Sequence, residues 1–182
     1  MTTPTHTDQT ARAADGDTPD PDGPDRPPSA GPAISVLGRA DSSETPELPG
    51  LARKLATALA TRQGSVRVRI VGDDAMADAH QRYKDIEGTT DVLTFDLAGD
   101  PSAPLDADVL VCIDEAARQA QARGIPIEHE LLLYITHAVL HCSGYNDDTD
   151  EAAAAMHARE DELLTAIGIG PVYGTNKAEP AS

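Results

Sequence analysis

The hydrophobic positions in the first half of the chain change spacing twice, which predicts a helix between two strands. The run AISVL at residues 33–37 is short and apolar, which favours a strand. A helix that we expect to end at Gly64 follows. Its predicted inner face consists of Leu51, Leu55, Ala58 and Leu59. Residues 65–72 then alternate between arginine and aliphatic side chains, which is typical of a half-buried strand. The side chains expected to face inward are Val66, Val68 and Ile70.

The next stretch continues with a helix and two strands. Residues 73–84 predict a helix that is capped by Asp73 or Asp74. Residues 89–97 are rich in residues that favour strands. The strand predicted at 106–113 is more continuously apolar, so we expect it in the interior of the sheet.

Three helices are predicted in the remainder of the chain. Asp114 is expected to cap the first, which Gly124 ends. The second, at 127–142, is apolar almost all round, which indicates a buried helix. Thr149 can cap the last helix. Its predicted inward residues are Met156, Leu163, Leu164 and Ile167. This order of elements predicts a mixed α/β fold.

The two ends of the chain differ from its middle in composition. Of the 14 prolines in 182 residues, half fall in residues 1–32, together with six aspartates. Such a segment buries too little apolar surface to become ordered, so we expect a disordered acidic tail there, a shorter tail at 174–182 and a single domain at 33–173. No secretory signal and no run of about 20 apolar residues is present, so a cytoplasmic protein without a membrane span is expected. The two cysteines, Cys112 and Cys142, are accordingly expected to be reduced and buried.

The charge of the chain limits its partners. A net charge of −17 argues against non-specific binding to nucleic acid. The charge is uneven, however, because residues 53–84 contain seven basic and three acidic side chains. This excess is compatible either with a solvated mixed surface or with a surface that meets an anionic partner. Phe95 is the single phenylalanine and tryptophan is absent, which leaves few rings for stacking on bases.

A candidate metal site lies at the end of the predicted buried helix. His137 and His141 are one helical turn apart, so their rings project from one face and can bind one ion. Gly144 allows a sharp turn directly after the helix. Asp147 and His157 are the candidates for a third ligand. We favour Asp147, which follows the turn and whose oxygen can coordinate zinc at about the same distance as a histidine nitrogen.

An aspartate ligand changes the properties expected of the ion. It lowers the net charge on the metal compared with a neutral histidine. The bound water should then be less acidic, and harder divalent metals such as Mn²⁺ should compete better. The expected cofactor is one Zn²⁺, with harder divalent metals as competitors.

The stretch HAVLHCSGYNDD, residues 137–148, resembles the signature of the YbeY family of bacterial metal-dependent endoribonucleases, H-G-x-L-H-L-x-G-Y-D-H. Both histidines, Gly144 and Tyr145 match it, and Asp147 stands where the family has its third histidine. Three further stretches resemble family segments in the right order: TTDVLTFDL, ADVLVCIDEA and EDELLTAIG. The resemblance spans roughly residues 34–170.

The resemblance implies a fold and a function. The fold is a single α/β (α+β) domain, in which a small mixed sheet packs against helices and a buried central helix binds the metal. The function is hydrolysis of single-stranded RNA in 3′-end maturation of 16S rRNA and in ribosome quality control, with the small ribosomal subunit as a partner. A family arginine that serves RNA precedes the T-[DN]-V-L segment, and counting back from Val92 places Lys84 at its position, with Arg82 close by. We expect the ion to polarise a phosphoryl oxygen while Lys84 or Arg82 stabilises the developing charge. The sequence leaves open whether a water molecule activated by the ion or the neighbouring 2′-hydroxyl attacks.

Two other functions remain open from the sequence. A zinc-dependent protease has the same ligand spacing, but it needs a glutamate directly after the first histidine as general base. That position is Ala138 here, which cannot accept a proton. A non-catalytic ribosome-assembly factor would retain the fold without cleaving RNA.

Overall fold

The computed structural model describes residues 31–37, 45–59 and 62–173. The tails predicted at 1–32 and 174–182 therefore lie outside the described residues, apart from residues 31 and 32. Within the described ranges, every helix is too short or too polar to cross a membrane.

Four strands and five helices make up the described part of the chain. The strands are β1 (Ala33–Leu37), β2 (Gly64–Val71), β3 (Val92–Asp96) and β4 (Leu105–Cys112). The helices are α1 (Leu48–Ala58), α2 (Asp73–Lys84), α3 (Ile113–Arg123), α4 (Ile127–His141) and α5 (Asp150–Ala166). Each strand and helix predicted from the hydrophobic pattern is present, with ends that differ by a few residues.

The strands form one mixed sheet in the order β1-β2-β4-β3. Strands β1, β2 and β4 are parallel, with Val66 opposite Ile34 and Val68 opposite Val109. Strand β3 runs antiparallel to β4. The expected mixed sheet is confirmed, and so is the interior position of β4, whose apolar side chains point to both faces.

Helix α4 lies at the centre of the main core. Residues 130–136 and 138–140 of this helix are all buried. They pack against α1, against α5 and against the face of the sheet that carries Val109 and Val111. On the opposite side of the sheet, Cys112 packs with Leu93 and with Met76 of α2. Because α4 has protein on nearly all sides, its surface is apolar almost all round.

Gly64 has a different role from the one expected. Helix α1 ends at Ala58, and Gly64 instead begins β2 with a φ of +123°. A Cβ atom placed on Gly64 would lie 2.0 Å from the carbonyl oxygen of Leu105. The glycine is needed where the backbones of β2 and β4 approach each other, and not to stop a helix.

The predicted aspartate caps of α2 and α3 are wrong. Gly72 and Cys112 occupy the cap positions, and neither helix has a side-chain cap hydrogen bond. Asp114 instead accepts a 2.8 Å hydrogen bond at Oδ2 from the backbone N–H of Asp73. An acceptor on α3 thus satisfies a free N–H of the neighbouring helix α2, which sequence spacing does not reveal.

The other predicted helix ends are confirmed. Gly124 ends α3 in a left-handed conformation, and the Thr149 hydroxyl accepts a 3.2 Å hydrogen bond from the N–H of Ala152 at the start of α5. In α5, Met156, Leu163 and Leu164 are buried as expected. These signals are local, so the sequence was sufficient to predict them.

Candidate metal centre

The candidate metal centre forms where α4 ends and the chain turns back. His137 and His141 occupy successive turns on one side of the helix. Gly144 follows with a φ of +90°, and the N–H of Tyr145 donates to the carbonyl of Leu140 at 3.1 Å. This turn reverses the chain and brings Asp147 opposite the histidine pair.

Three side chains converge at this point. The Nε2 atoms of His137 and His141 are 3.0 Å apart. One carboxylate oxygen of Asp147 lies 3.8 Å from Nε2 of His137, and the other lies 3.8 Å from Nε2 of His141. One ligand atom from each residue lies within 4.8 Å of the other two, so the group can hold one metal ion.

Both rings are oriented by partners on the side away from the centre. Nδ1 of His137 is 2.8 Å from Oε1 of Glu160, and Nδ1 of His141 is 3.1 Å from the carbonyl oxygen of Tyr145. A carboxylate and a carbonyl accept hydrogen bonds, so the ring protons belong on Nδ1 and the Nε2 lone pairs face each other. Two lone pairs at 3.0 Å repel, and a cation held between them removes the repulsion. The donor set therefore fits a divalent metal of the zinc class.

Glu160 contacts the candidate metal centre and was not identified by motif spacing alone. It lies on α5, its side chain is fully buried, and its Oε2 has no hydrogen-bond partner among the described residues. In the sequence, Glu160 follows Met156 by one helical turn, and this spacing predicts that it lies on the inward side of α5. Burial disfavours the charged imidazolium, but the carboxylates of Glu160, Asp147 and Asp91 together outweigh burial and raise the pKa of His137 above its usual value.

The alternative third ligand, His157, has another contact. Its ring stacks on Tyr173, with a centroid distance of 3.9 Å. Within the described ranges, the group of three residues with converging ligand atoms comprises His137, His141 and Asp147. The structure thus brings Asp147 to the histidine pair and does not bring His157 there.

The two cysteines are both free and buried, as expected. Cys142 follows His141 but is only 4% exposed. Burial raises the pKa of the Cys142 thiol to about 11. A thiol that resists ionisation is a poor zinc ligand, because the thiolate is the form that binds metal.

A cleft of 400 Å³ opens beside the histidine pair. Lys84, in the last turn of α2, lines this cleft together with Asp91, His137 and His141. Arg82 is exposed in the same turn but does not line the cleft. Of the two predicted cations, Lys84 is therefore the one that lies beside the candidate metal centre.

The basic segment 53–84 does not form one uninterrupted positive surface. Arg67 on β2 forms ion pairs with Asp106 at 2.7 Å and Asp108 at 2.5 Å, both on β4. The guanidinium of Arg62 donates to the carbonyl of Ala103 at 3.2 Å. Strand pairing thus brings two acids of β4 against Arg67 of β2, and the charge of this arginine is neutralised within the fold.

The accessibility of the donor set distinguishes catalytic from structural metal sites. The side chains of His137, His141 and Asp147 are 22%, 33% and 46% exposed, respectively, and the pair borders an open cleft. A structural zinc site is closed by four protein ligands, whereas a catalytic site keeps a position for water or substrate. Three candidate ligands beside a cleft, on a small α/β domain, form the arrangement expected of a metal-dependent hydrolase.

Comparison with known proteins identifies the family within this class. The family model described as Endoribonuclease YbeY matches residues 44–168. The chain belongs to the YbeY family, which confirms the family and the enzyme class expected from the sequence, a metal-dependent endoribonuclease.

Individual relatives agree with this assignment. Endoribonuclease YbeY of Mycobacterium ulcerans is 36% identical over 135 residues, which cover 68% of this chain and 75% of that protein. Endoribonuclease YbeY of Methylibium petroleiphilum is 32% identical over 136 residues, which cover 74% of this chain and 89% of that protein. The solution structure of TM1509 from Thermotoga maritima has the same fold, with a TM-score of 0.50, 22% identity, and coverage of 80% of this chain and 99% of that one.

Proposed function

We propose that this chain is a cytoplasmic zinc endoribonuclease that cleaves single-stranded RNA in 3′-end maturation of 16S rRNA and in ribosome quality control. Its macromolecular partner would be the small ribosomal subunit. The observation that supports catalysis most directly is the convergence of His137, His141 and Asp147 beside a cleft that also contains Lys84. Family membership supports RNA as the substrate.

His137, His141 and Asp147 would hold the ion, through Nε2 of each ring and a carboxylate oxygen. When bound, the ion would supply Lewis acidity to a phosphoryl oxygen or to a water molecule. The aspartate lowers the net charge of the site, so Mn²⁺ and other hard divalent ions should substitute more readily than at a site with three histidines. Glu160 keeps the His137 ring oriented and its Nδ1 protonated.

Lys84 has the position and charge to bind the RNA phosphate. Its ammonium group, on the wall of the cleft, can stabilise the negative charge that develops on the phosphoryl oxygens. Lysine lacks the forked geometry of arginine, so it would act as a point charge and not through a bidentate contact. Arg82, outside the cleft lining, would attract the RNA chain before it reaches the metal.

The protease alternative has little support in the structure. Ala138, at the position of the general base, is fully buried. The glutamate nearest to this helix face in sequence, Glu130, is paired with Arg123 at 3.0 Å. Glu160 contacts the outer nitrogen of His137, where it orients the ring and cannot activate water on the metal side.

Incubation with RNA tests the proposed function against both alternatives. An unstructured RNA that carries the 3′ end of precursor 16S rRNA should be cleaved, a matched duplex should not, and a chelator should stop the reaction until Zn²⁺ or Mn²⁺ is restored. Binding to the small ribosomal subunit without cleavage would favour the assembly factor. Metal-dependent hydrolysis of casein would favour the protease.

The first mutational prediction concerns Lys84. We expect Lys84→Ala to lower kcat/KM for RNA cleavage by about 10- to 100-fold, because one cation beside the reacting phosphate is lost. Metal content, measured by atomic emission, should not change. Arg82→Ala, in the same helical turn, should cost less than Lys84→Ala, and the reverse order would assign the phosphate contact to Arg82.

The second prediction concerns Glu160. Glu160→Gln should weaken Zn²⁺ binding by about 10- to 100-fold, because a neutral amide orients and polarises the His137 ring less than a carboxylate does. Competition with a fluorescent zinc chelator measures this change. Glu162→Gln is a matched control on the same helix, since that side chain is 67% exposed. Equal zinc affinity of the Glu160 variant and the parent would remove Glu160 from the site.

A further inference from the structure

The cleft beside the histidine pair, called the metal cleft below, lies at an edge of the sheet. Within the described ranges, β3 is the last strand on this side of the sheet and pairs with β4 alone. Lys84 belongs to α2 on one face of the sheet, whereas His137 and His141 belong to α4 on the other face. Residues from both faces line one cleft because the sheet ends there. The wall between them is β3, which contributes Val92, Leu93, Thr94 and Asp96.

The backbone of β3 directs unpaired hydrogen-bonding groups towards this cleft. At one end of its pairing with β4, the carbonyl of Asp91 accepts from the N–H of Cys112 at 2.8 Å. At the other end, the N–H of Leu97 donates to the carbonyl of Asp106 at 2.8 Å. Because hydrogen bonds alternate along an antiparallel pair, the odd-numbered residues of β3 bond to β4, and the N–H and C=O groups of the even-numbered residues point away from it. The even-numbered residues are Val92, Thr94 and Asp96, and all three line the metal cleft.

Thr94 holds the central pair of these backbone groups. The N–H of Val92 is already bonded to Oδ1 of Asp91 at 2.8 Å. Neither the N–H nor the C=O of Thr94 has a hydrogen-bond partner in the part of the chain that the structure describes. Thr94 is half-buried, whereas its neighbour Leu93 is only 4% exposed. Since both groups of a residue in an extended strand point the same way, Thr94 presents one donor beside one acceptor.

The side chains around Thr94 favour a nucleic acid as the ligand of this edge. Lys84 is exposed and supplies a cation for phosphate. The two carboxylates on the cleft wall both bind nearby backbone: Asp91 binds the N–H of Val92, and Oδ1 of Asp96 accepts from the N–H of Ala98 at 3.0 Å. An extended peptide could also pair with a strand edge, but it would leave the charge of Lys84 unused. A chain of bases and phosphates uses both the backbone pair and the cation.

We propose that the N–H and C=O of Thr94 bind the Watson–Crick edge of an unpaired base, while the adjacent phosphate binds beside Lys84. The inference rests on the proposed function, because it takes single-stranded RNA to be the chain that enters the metal cleft. Each of the four bases has a donor next to an acceptor on its Watson–Crick edge, so this backbone contact accepts any sequence. In a duplex the same edge is occupied by the partner base. The β3 edge would therefore select single-stranded RNA without selecting a sequence.

Binding of methylated oligonucleotides tests the contact without any cleavage step. Fluorescence anisotropy on the metal-free full chain would compare labelled hexamers of uridine, 3-methyluridine and 5-methyluridine. A methyl group at N3 removes the donor of the Watson–Crick edge, whereas a methyl group at C5 adds the same bulk away from that edge. We expect the 3-methyluridine hexamer to bind at least about tenfold more weakly than the uridine hexamer, the effect of one lost hydrogen bond. The 5-methyluridine hexamer is the matched control and should bind like uridine.

Proline at position 94 tests the protein side of the same contact. Thr94→Pro removes the N–H that faces the cleft and leaves the bonds between β3 and β4 in place, since proline is tolerated on an edge strand where the N–H points outward. It should weaken binding of the uridine hexamer by about tenfold. Thr94→Val keeps the backbone N–H and loses the hydroxyl, so it should bind the hexamer more tightly than Thr94→Pro does. Equal losses in the two variants would assign the effect to the side chain and overturn the backbone contact.

The outcomes separate the edge contact from the proposed function. Equal binding of the uridine and 3-methyluridine hexamers, or no binding of any hexamer, would overturn the contact. If Thr94→Pro does not fold, the hexamer series on the parent chain decides alone. A blocked hexapeptide of alternating threonine and valine that binds the parent more tightly than the uridine hexamer, and loses binding in Thr94→Pro, would make the edge a peptide site. Discrimination against 3-methyluridine without RNA cleavage would retain the contact and overturn the nuclease, whereas equally fast metal-dependent cleavage of uridine and 3-methyluridine RNA would do the reverse.

Discussion

We expect His137→Ala to abolish stoichiometric binding of zinc and to lower RNA cleavage by at least about 1,000-fold, which corresponds to roughly 4 kcal/mol of lost transition-state stabilisation. His137 has the largest role because it connects three parts of the site. Its Nε2 faces His141, its Nδ1 contacts the buried Glu160, and the residue lines both the metal cleft and an adjacent cavity that extends to Tyr173. The substitution removes a proposed metal ligand and also leaves Oε1 of Glu160 without its hydrogen-bond donor.

Two measurements check this result. Metal content of the purified chain should fall from one ion per molecule to near zero, and cleavage of unstructured RNA should fall with it. His129→Ala on the same helix is the control, because His129 lies outside the converging group and should retain both properties. Thermal unfolding of the metal-free proteins should be compared first. Parent-like cleavage by a folded His137→Ala variant would overturn the metal-dependent mechanism.

The second large effect is expected at Asp147. Asp147→Ala should lose most of the bound metal, because two histidines alone leave the ion with too few protein ligands. The Asp147 side chain is 46% exposed, so its truncation should leave the stability of the metal-free protein almost unchanged. Asp147→His should restore zinc binding and reduce the ability of Mn²⁺ to compete, since a third imidazole suits zinc better than a hard ion.

His157→Ala is the comparison that can contradict the ligand assignment. This side chain stacks on Tyr173, away from the converging group, so its removal should leave zinc affinity unchanged. If the Asp147→Ala variant retains metal like the parent while His157→Ala loses it, then the third ligand is His157. Metal titration by isothermal calorimetry on both variants distinguishes the two results.

Much of the secondary structure could be predicted from the sequence because its signals are local. The alternation of polar and apolar side chains in β2, and the apolar residues on nearly every side of α4, are patterns among residues only a few positions apart. Gly124 and Thr149 mark helix ends for the same reason. The errors occur where a partner distant in sequence decides the outcome: Asp114 satisfies an N–H on α2, and Gly64 is required by the nearby backbone of Leu105.

The candidate metal site also contains residues that local spacing predicts and residues that only tertiary packing places. Helical periodicity predicts that His137 and His141 share a face, and the turn after α4 is short enough for Asp147 to be anticipated. Glu160 could not be assigned from spacing alone, because it reaches His137 only through the packing of α5 against α4. Glu130 is a similar case, since its ion pair with Arg123 depends on the packing of α3 against α4.

The sequence by itself determined the order of the elements, the family and the three side chains that we propose as metal ligands, because each follows from short-range periodicity or from a contiguous motif. Tertiary structure decided which cation lies beside the ligands, how Glu160 orients one ring, and that acids on β4 neutralise Arg67. It also placed a second cavity, which extends to Tyr134 and Tyr173, next to the metal cleft, with Asp91 and His137 on the boundary. These features depend on how helices and strands that are far apart in sequence pack together, and the spacing within any one segment does not specify that packing.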